Sequence, residues 1–194
     1  TVCFILTVFS VFLPGTVKAA SLFFSPTAGS YNVGDTFSAS VYVSSPDQSM
    51  NAASGVVSFP RDKLEVSSIS KTGSVITFWV QEPSFSNSAG TINFEGVVLN
   101  PGFTGTSGKI ITINFKVKTG GTALLNFSSG SVLANDGQGT NILATLGGAQ
   151  FSLGGAVPAI PESTPPSIVS DTPSAPVISS STHPDQNKWY NNSN

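Results

Sequence analysis

The feature that most constrains this chain is a period of two. Thr36–Ser44 reads TFSASVYVS, which sets Phe37, Ala39, Val41 and Val43 on one side and Thr36, Ser38, Ser40 and Tyr42 on the other. Lys109–Lys118 (KIITINFKVK) repeats the pattern with Ile111, Ile113, Phe115 and Val117. Successive side chains of a strand point to opposite faces, so each such segment predicts a strand with one buried and one wet face. No stretch carries the 3.6-residue spacing of an amphipathic helix. One-sided sheets must stack to hide their apolar faces, and the expected fold is all-β, a two-sheet β-sandwich of about nine strands.

The remaining strands are read between turn signals. Ser21–Ser25 is a short first strand ended by Pro26, and Ser30–Asp35 (SYNVGD) is a turn. Asn51–Phe59 is a strand stopped by Pro60. Leu64–Ser70 places Leu64 and Val66 inward, with Ile69 out of phase, which predicts a bulge or bend after Val66. Val75–Glu82 (VITFWVQE) points Ile76, Phe78 and Val80 to the core and Thr77, Trp79 and Gln81 outward, and is ended by Pro83. Thr91–Val97 follows, then a Gly-rich loop at Asn100–Gly108 and the strong strand above. Ala123–Phe127 and Gly130–Leu133 are expected to pair around a Ser-Ser-Gly bend. Asn135–Asn141 is a turn, and Ala149–Leu153 closes the domain.

Composition then narrows the function. The 194 residues hold 8 Lys or Arg and 10 Asp or Glu, 9% charged where an ordinary soluble domain carries about 25%. A net charge of −2 excludes a general nucleic-acid binder, which needs a basic face against phosphates. A single cysteine excludes a disulfide framework and a cysteine zinc site. The only histidine, His183, lies outside the strand-rich segment, so no Ser-His-Asp arrangement forms within it. Glu82 and Glu95 are the nearest thing to a carboxylate pair and read as solvated edge residues. No enzyme activity and no cofactor are expected. Asn135, Asp136 and Asn141 offer oxygen atoms to a calcium ion, but without the spacing and terminal Glu of an EF-hand loop, and tight Asn-Asp-Gly turns also arise for steric reasons alone.

The two ends differ from the middle. Residues 1–13 (TVCFILTVFSVFL) are apolar and uncharged, too short for a bilayer span of about 20 residues. Pro14-Gly15 and the small residues Val17 and Ala19 then fit the exit of a secretory signal cut after Ala19, or after Ala20. We read 1–19 as a signal peptide truncated at its start, against an uncleaved anchor or a buried first strand. The expectation is a secreted, extracellular or cell-surface protein whose mature form does not span a membrane in the part seen. Residues 20–154 form the sandwich. Residues 155–176 form a Pro/Ser/Thr-rich linker, its prolines favouring extended conformations. Residues 177–194, with Trp189-Tyr190, read as the start of an incomplete second β module, against a linker tail with stray aromatics.

The ordered set of segments carries a resemblance. Gly34-Asp35-Thr36-Phe37 comes first. Asn51 to Gly55, Gly90-Thr91-Ile92-Asn93-Phe94 and Gly108 to Phe115 follow. This resembles bacterial cohesin domains over about residues 21–153, and more loosely the cellulose-binding modules that share their sandwich; residues 182–190 resemble segments that open Ig-like modules of surface proteins. The resemblance implies jelly-roll topology and a non-catalytic binding module. In cohesins the sheet with the third, fifth and sixth strands binds dockerin, a calcium-loaded helical module. The implied partner is therefore a dockerin-like protein module or a polysaccharide, in extracellular polysaccharide breakdown or cell-surface assembly. The alternative is a structural spacer or adhesin stalk that binds nothing. On that sheet the outward candidates are Ser54, Ser58, Thr77, Trp79, Gln81, Asn93 and Glu95. Trp79 is either an exposed anchor for a sugar or a partner, or is covered by the Asn100–Gly108 loop.

Overall fold

A computed structural model describes residues 19–154. The expected signal, linker and second module lie outside the described residues. Ten strands and no helix make up what is described: β1 (Ala20–Ser25), β2 (Ala28–Asn32), β3 (Thr36–Ser58), β4 (Leu64–Ser70), β5 (Phe78–Ser86), β6 (Thr91–Val97), β7 (Phe103–Val117), β8 (Gly121–Ala134), β9 (Leu143–Leu146) and β10 (Ala149–Gly154).

The described residues form a β-sandwich whose two layers share one strand. The first half of β3 lies between β1 and β7, extending to β9 beyond β1 and β4 beyond β7. Its second half lies between β6 and β8, extending to β5 beyond β6 and to β10 and β2 beyond β8. The core is what the alternation expects: Phe37, Ala39, Val41 and Val43 from β3 meet Ile111, Ile113, Phe115 and Val117 from β7, all buried in one cluster with Leu22, Phe24, Leu125 and Phe151. Rings organise one end of it. Tyr31 stacks on Phe37 at 4.2 Å between centroids, and Phe37 packs on Phe115 and Phe151.

Five local expectations are corrected. Residues 36–44 and 51–58 are one continuous strand, because the crossing between layers is held by side chains: Ser45, buried, donates to the Gln48 carbonyl, and Ser49 Oγ donates to the Pro101 carbonyl at 2.9 Å. The turn placed at Ser30–Asp35 is shorter. Ala28–Asn32 is a strand running parallel to β10, and only the Asn32–Asp35 end turns, where the Asp35 carboxylate accepts the Asn32 amide at 2.7 Å. No hairpin forms between 123 and 133; β8 runs straight through and pairs with β10 early and β3 later. Gly130 marks a close approach rather than a reversal, since a Cβ there would lie 2.9 Å from Leu146 Cδ2. β9 is a strand that the alternation does not predict: LATL is short and mostly exposed, and pairs in parallel with β1.

The fifth correction concerns β5. Its facing at Phe78, Trp79 and Val80 is the reverse of the alternation expected, while Gln81 points outward as expected, and Pro83 lies inside the strand, not beyond it. Trp79 pairs with Gly96 and Gln81 with Glu95, so Val80 is an extra residue, and a second register shift falls between Gln81 and Ser84. Bulges of this kind re-aim side chains and are tolerated at sheet edges, as is an edge proline. Phe78 and Val80 are 59% and 58% exposed, whereas Trp79 packs against the core rim. The irregularity expected after Val66 is present as a register shift between Val66 and Ser68.

Two local contacts tie neighbouring segments together. Gly55 faces inward under the Phe94 ring, and a Cβ at this position would lie 2.6 Å from Phe94 Cζ. On the open side between β4 and β5, the Asn87 side chain stands in for a strand: its Oδ1 accepts the Val66 amide at 2.8 Å and its Nδ2 donates to the Val66 carbonyl at 3.0 Å.

Gly55→Ala should therefore lower stability by roughly 1–3 kcal/mol, the usual size of an overpacking penalty, read by denaturant unfolding; an unchanged midpoint would show that Phe94 moves freely. Asn87→Ala should cost about 1–3 kcal/mol for the two backbone groups left without a partner. It should also raise amide exchange at Val66 ahead of the rest of β4, measured by hydrogen-exchange NMR.

Candidate binding face

The outer face of the β5-β6-β3-β8 layer is built in rows by its register. Gln81 pairs with Glu95, Glu95 with Ser54, and Ser54 with Ser131. Cross-strand partners share a face, so these four side chains lie abreast. Two residues along, Phe78, Val97, Ala52 and Leu133 form an apolar row, with the bulge residue Val80 beside it. Two residues the other way come Ser84, Asn93, Val56 and Ser129. Rows two residues apart are separated by about 6.8 Å, and neighbouring strands by about 4.8 Å. A shallow trough runs across the middle, with Ser54, Val56, Gln81, Asn93, Glu95 and Ser131 among its lining residues.

Of the sequence-derived candidates, the structure brings Ser54, Gln81, Asn93 and Glu95 together. Ser58 lies on the same strand face, one row beyond Val56, and its hydroxyl donates to the Asn126 carbonyl at 3.3 Å. Thr77 precedes β5 and bonds locally, its Oγ1 donating to the Val97 carbonyl and accepting the Leu99 amide at 2.9 Å. Trp79 is on the other side of β5 from Gln81. Its ring lies near Gly96, where an added Cβ would stand 3.2 Å from Trp79 Cε3 and 2.4 Å from Ile76 Cγ2. The Lys71 ammonium sits 5.9 Å from the ring centroid and pairs with Glu82 at 2.6 Å. Trp79 is thus half-buried, packed against the core rim with Lys71 beside its ring.

The residues missed were the apolar ones and the serines Ser84, Ser129 and Ser131. Val56 sits between Ser54 and Ser58 in the same alternation and was readable as outward. Phe78 and Val80 were not, because strict alternation assigned them to the core and only the bulge reverses them.

The calcium candidates do not converge. Asn141 Oδ1 accepts the Val132 and Leu143 amides, and Asn135 Nδ2 donates to the Pro101 carbonyl at 2.9 Å. Asp136 accepts from the Thr140 side chain and the Gln138 amide, which hold its carboxyl below the usual range. These are the bonds of a tight turn. Among the described residues no group of three His, Cys, Asp or Glu side chains is placed to hold a metal ion.

The outer face of the opposite layer is a useful contrast. There, Ser38 Oγ donates to Asn114 Oδ1 at 2.7 Å, Asn114 Nδ2 donates to Ser68 Oγ at 2.9 Å, and the Ser40 and Thr112 hydroxyls bond at 2.8 Å. Its polar groups satisfy one another. On the β5-β6-β3-β8 face, no such bond links Gln81, Glu95, Ser54, Ser131, Asn93 or Ser129.

Comparison with known proteins matches this arrangement. The cohesin domain family profile matches residues 24–151. Among solved structures, a cohesin of Clostridium thermocellum, solved as the Coh-OlpA–Doc918 type I cohesin–dockerin complex, superposes with a TM-score of 0.58 at 14% identity, covering 70% of this chain and 99% of that one. A non-cellulosomal cohesin of the archaeon Archaeoglobus fulgidus gives 0.56 at 17% identity, covering 70% and 91%. The cohesin module of a Clostridium perfringens family 33 glycoside hydrolase gives 0.56 at 14% identity, covering 73% and 99%. At these identities the likeness is one of fold. No curated protein matches the sequence. The family match spans most of the chain, and the shared layers and strand order agree with it: the chain belongs to the cohesin domain family.

Proposed function

We propose that residues 20–154 form a non-catalytic protein-binding module that takes a dockerin-like partner on the β5-β6-β3-β8 face. The carrying observation is the difference between the two outer faces. One layer's hydroxyls and amides are bonded to each other; the other's are left open around a shallow trough beside an apolar row. Surfaces of this kind, an apolar patch rimmed by free polar groups, are suited to a protein partner. The cohesin complexes among the similar structures hold dockerins, which supports the same class of partner here.

Export to the outside of the cell is part of this proposal, resting on the apolar run 1–13 and its small-residue exit. A role in extracellular polysaccharide breakdown would follow from the partner that the module holds. Direct stacking of a sugar on Trp79 is not part of it, since that ring faces the core rim.

The test is binding of the full chain to a panel of calcium-loaded dockerin modules, followed by biolayer interferometry. Retention of at least one is expected. Ser54→Arg, in the middle of the face, should weaken it roughly 100-fold, the scale of a hot-spot loss. Lys116→Ala, on the opposite layer, should change it less than about twofold, as exposed sites away from an interface do. A panel with no binder, or a binder indifferent to Ser54→Arg, overturns the proposal.

A further inference from the structure

We propose that export removes the leader by hydrolysis of the Ala19–Ala20 bond, and that Ala20, as the new N-terminus, pins β9 to β1. This rests on the export reading above and deepens it. The sequence leaves a cut after Ala19 or after Ala20 open; the fold separates them.

The first observation is the change of surroundings across that bond. Ala19 is exposed and lies outside β1. Ala20 is fully buried, belongs to the core cluster and pairs with Leu143 of β9. Its backbone nitrogen donates to the Ile142 carbonyl at 2.8 Å. A cut after Ala19 removes none of these contacts. A cut after Ala20 removes all of them: the Ile142 carbonyl loses this donor and the core loses the Ala20 methyl. The pairing is irregular just beyond it, since Ser21 faces Thr145 and Ala144 is the extra residue. β9 is four residues long, mostly exposed, and pairs with no other strand among the described residues. The contact at Ala20 therefore holds the end of a strand with few other ties.

The second observation is charge. A signal peptidase seats the first and third residues before the bond in pockets that take small, uncharged side chains. For a cut after Ala19 these are Ala19 and Val17; for a cut after Ala20 they are Ala20 and Lys18. A Lys in such a pocket is desolvated without a partner, which is costly. Burial and charge thus select the same bond. In the step itself, water adds across the peptide bond, leaving a carboxylate on Ala19 and an ammonium on Ala20. The Ala20 nitrogen keeps a proton to donate to Ile142, and charged donors bond more strongly than amides. The cut therefore leaves the β1–β9 contact in place and strengthens its donor.

The test has two arms. In the first, the full chain is expressed in a bacterial host behind an initiating Met and a short basic segment. The product outside the cytoplasm is read by intact mass and N-terminal sequencing. A single product starting Ala20-Ser21-Leu22 is expected. An exported product that starts at Ser21, has mixed starts or is uncut overturns the assignment and leaves export standing. A chain that stays in the cytoplasm overturns both. In the second arm, residues 20–194 and 21–194 are each released from a cleavable fusion that leaves no added residue. The form starting at Ser21 should melt about 4 °C lower, the scale of one lost buried hydrogen bond in a domain of this size, or lose its cooperative melt. Its β9 amides should exchange about tenfold faster, ahead of those of β3, by hydrogen-exchange NMR. Equal melting with equal β9 exchange overturns the pinning role of Ala20.

Discussion

The sandwich depends on one strand that belongs to both layers. β3 pairs with β1 and β7 through residues 36–45 and with β6 and β8 through residues 50–58. Between them the chain must leave one sheet and enter the other without stranding its polar groups. Buried backbone donors and acceptors have to be matched, and the crossing does this with short side chains. Ser45 turns back on the Gln48 carbonyl, Ser49 reaches the Pro101 carbonyl, and Asn135 donates to both Ser49 and Pro101 through its amide and side chain. The same knot ties in the loop before β7 and the end of β8. Serine and asparagine side chains are here part of the framework.

What was legible in the sequence was whatever obeys a period of two. The strands at 36–44, 91–97 and 109–117, their buried residues and the sandwich itself follow from alternation, because a one-residue slip would expose the whole core. What was not legible needs the third dimension. β9 is four residues with little apolar content and exists because β1 offers it an edge. The continuity of β3 and of β8 depends on partners far along the chain, whereas serine and glycine clusters look locally like turns. Of the candidate face, Ser54, Gln81, Asn93 and Glu95 were placed by alternation and resemblance, and the structure sets them side by side. Trp79 was placed there wrongly because the bulge at Val80 changes the phase, and Thr77, though exposed, precedes β5 and bonds to Val97 and Leu99.

The two outer faces show how similar compositions serve different ends. Both carry hydroxyls and amides, on the β5-β6-β3-β8 face alongside an apolar row. On β4-β7-β3 these groups span adjacent strands at bonding distance, so Ser68, Asn114 and Ser38 form a chain that adds modestly to the ladder beneath it. On β5-β6-β3-β8 the rows alternate in kind, with Glu95 facing Ser54 and Asn93 facing Val56, and no such chain forms. Free polar groups at a surface are held by water, which a partner can replace. The distinction lies in pairing rather than in residue type, so composition alone could not have drawn it.

β5 brings these threads together. An edge strand presents unpaired backbone and invites non-specific pairing, a risk that proteins limit with bulges, proline and charge. β5 has all three: register shifts at Val80 and again before Ser84, Pro83 within the strand, and Glu82 paired to Lys71. Those same shifts turn Phe78 and Val80 outward and tuck Trp79 against the core. Protection of the edge and the make-up of the face are thus one structural device. Its consequence is a division of labour. β3 and β6 cannot change phase without breaking the core at Gly55, Phe94 and Val57, while β5 borders solvent and can change its outward residues at little cost to the fold. The rigid centre of the layer supplies Ser54 and Glu95; the edge supplies the apolar contact beside them.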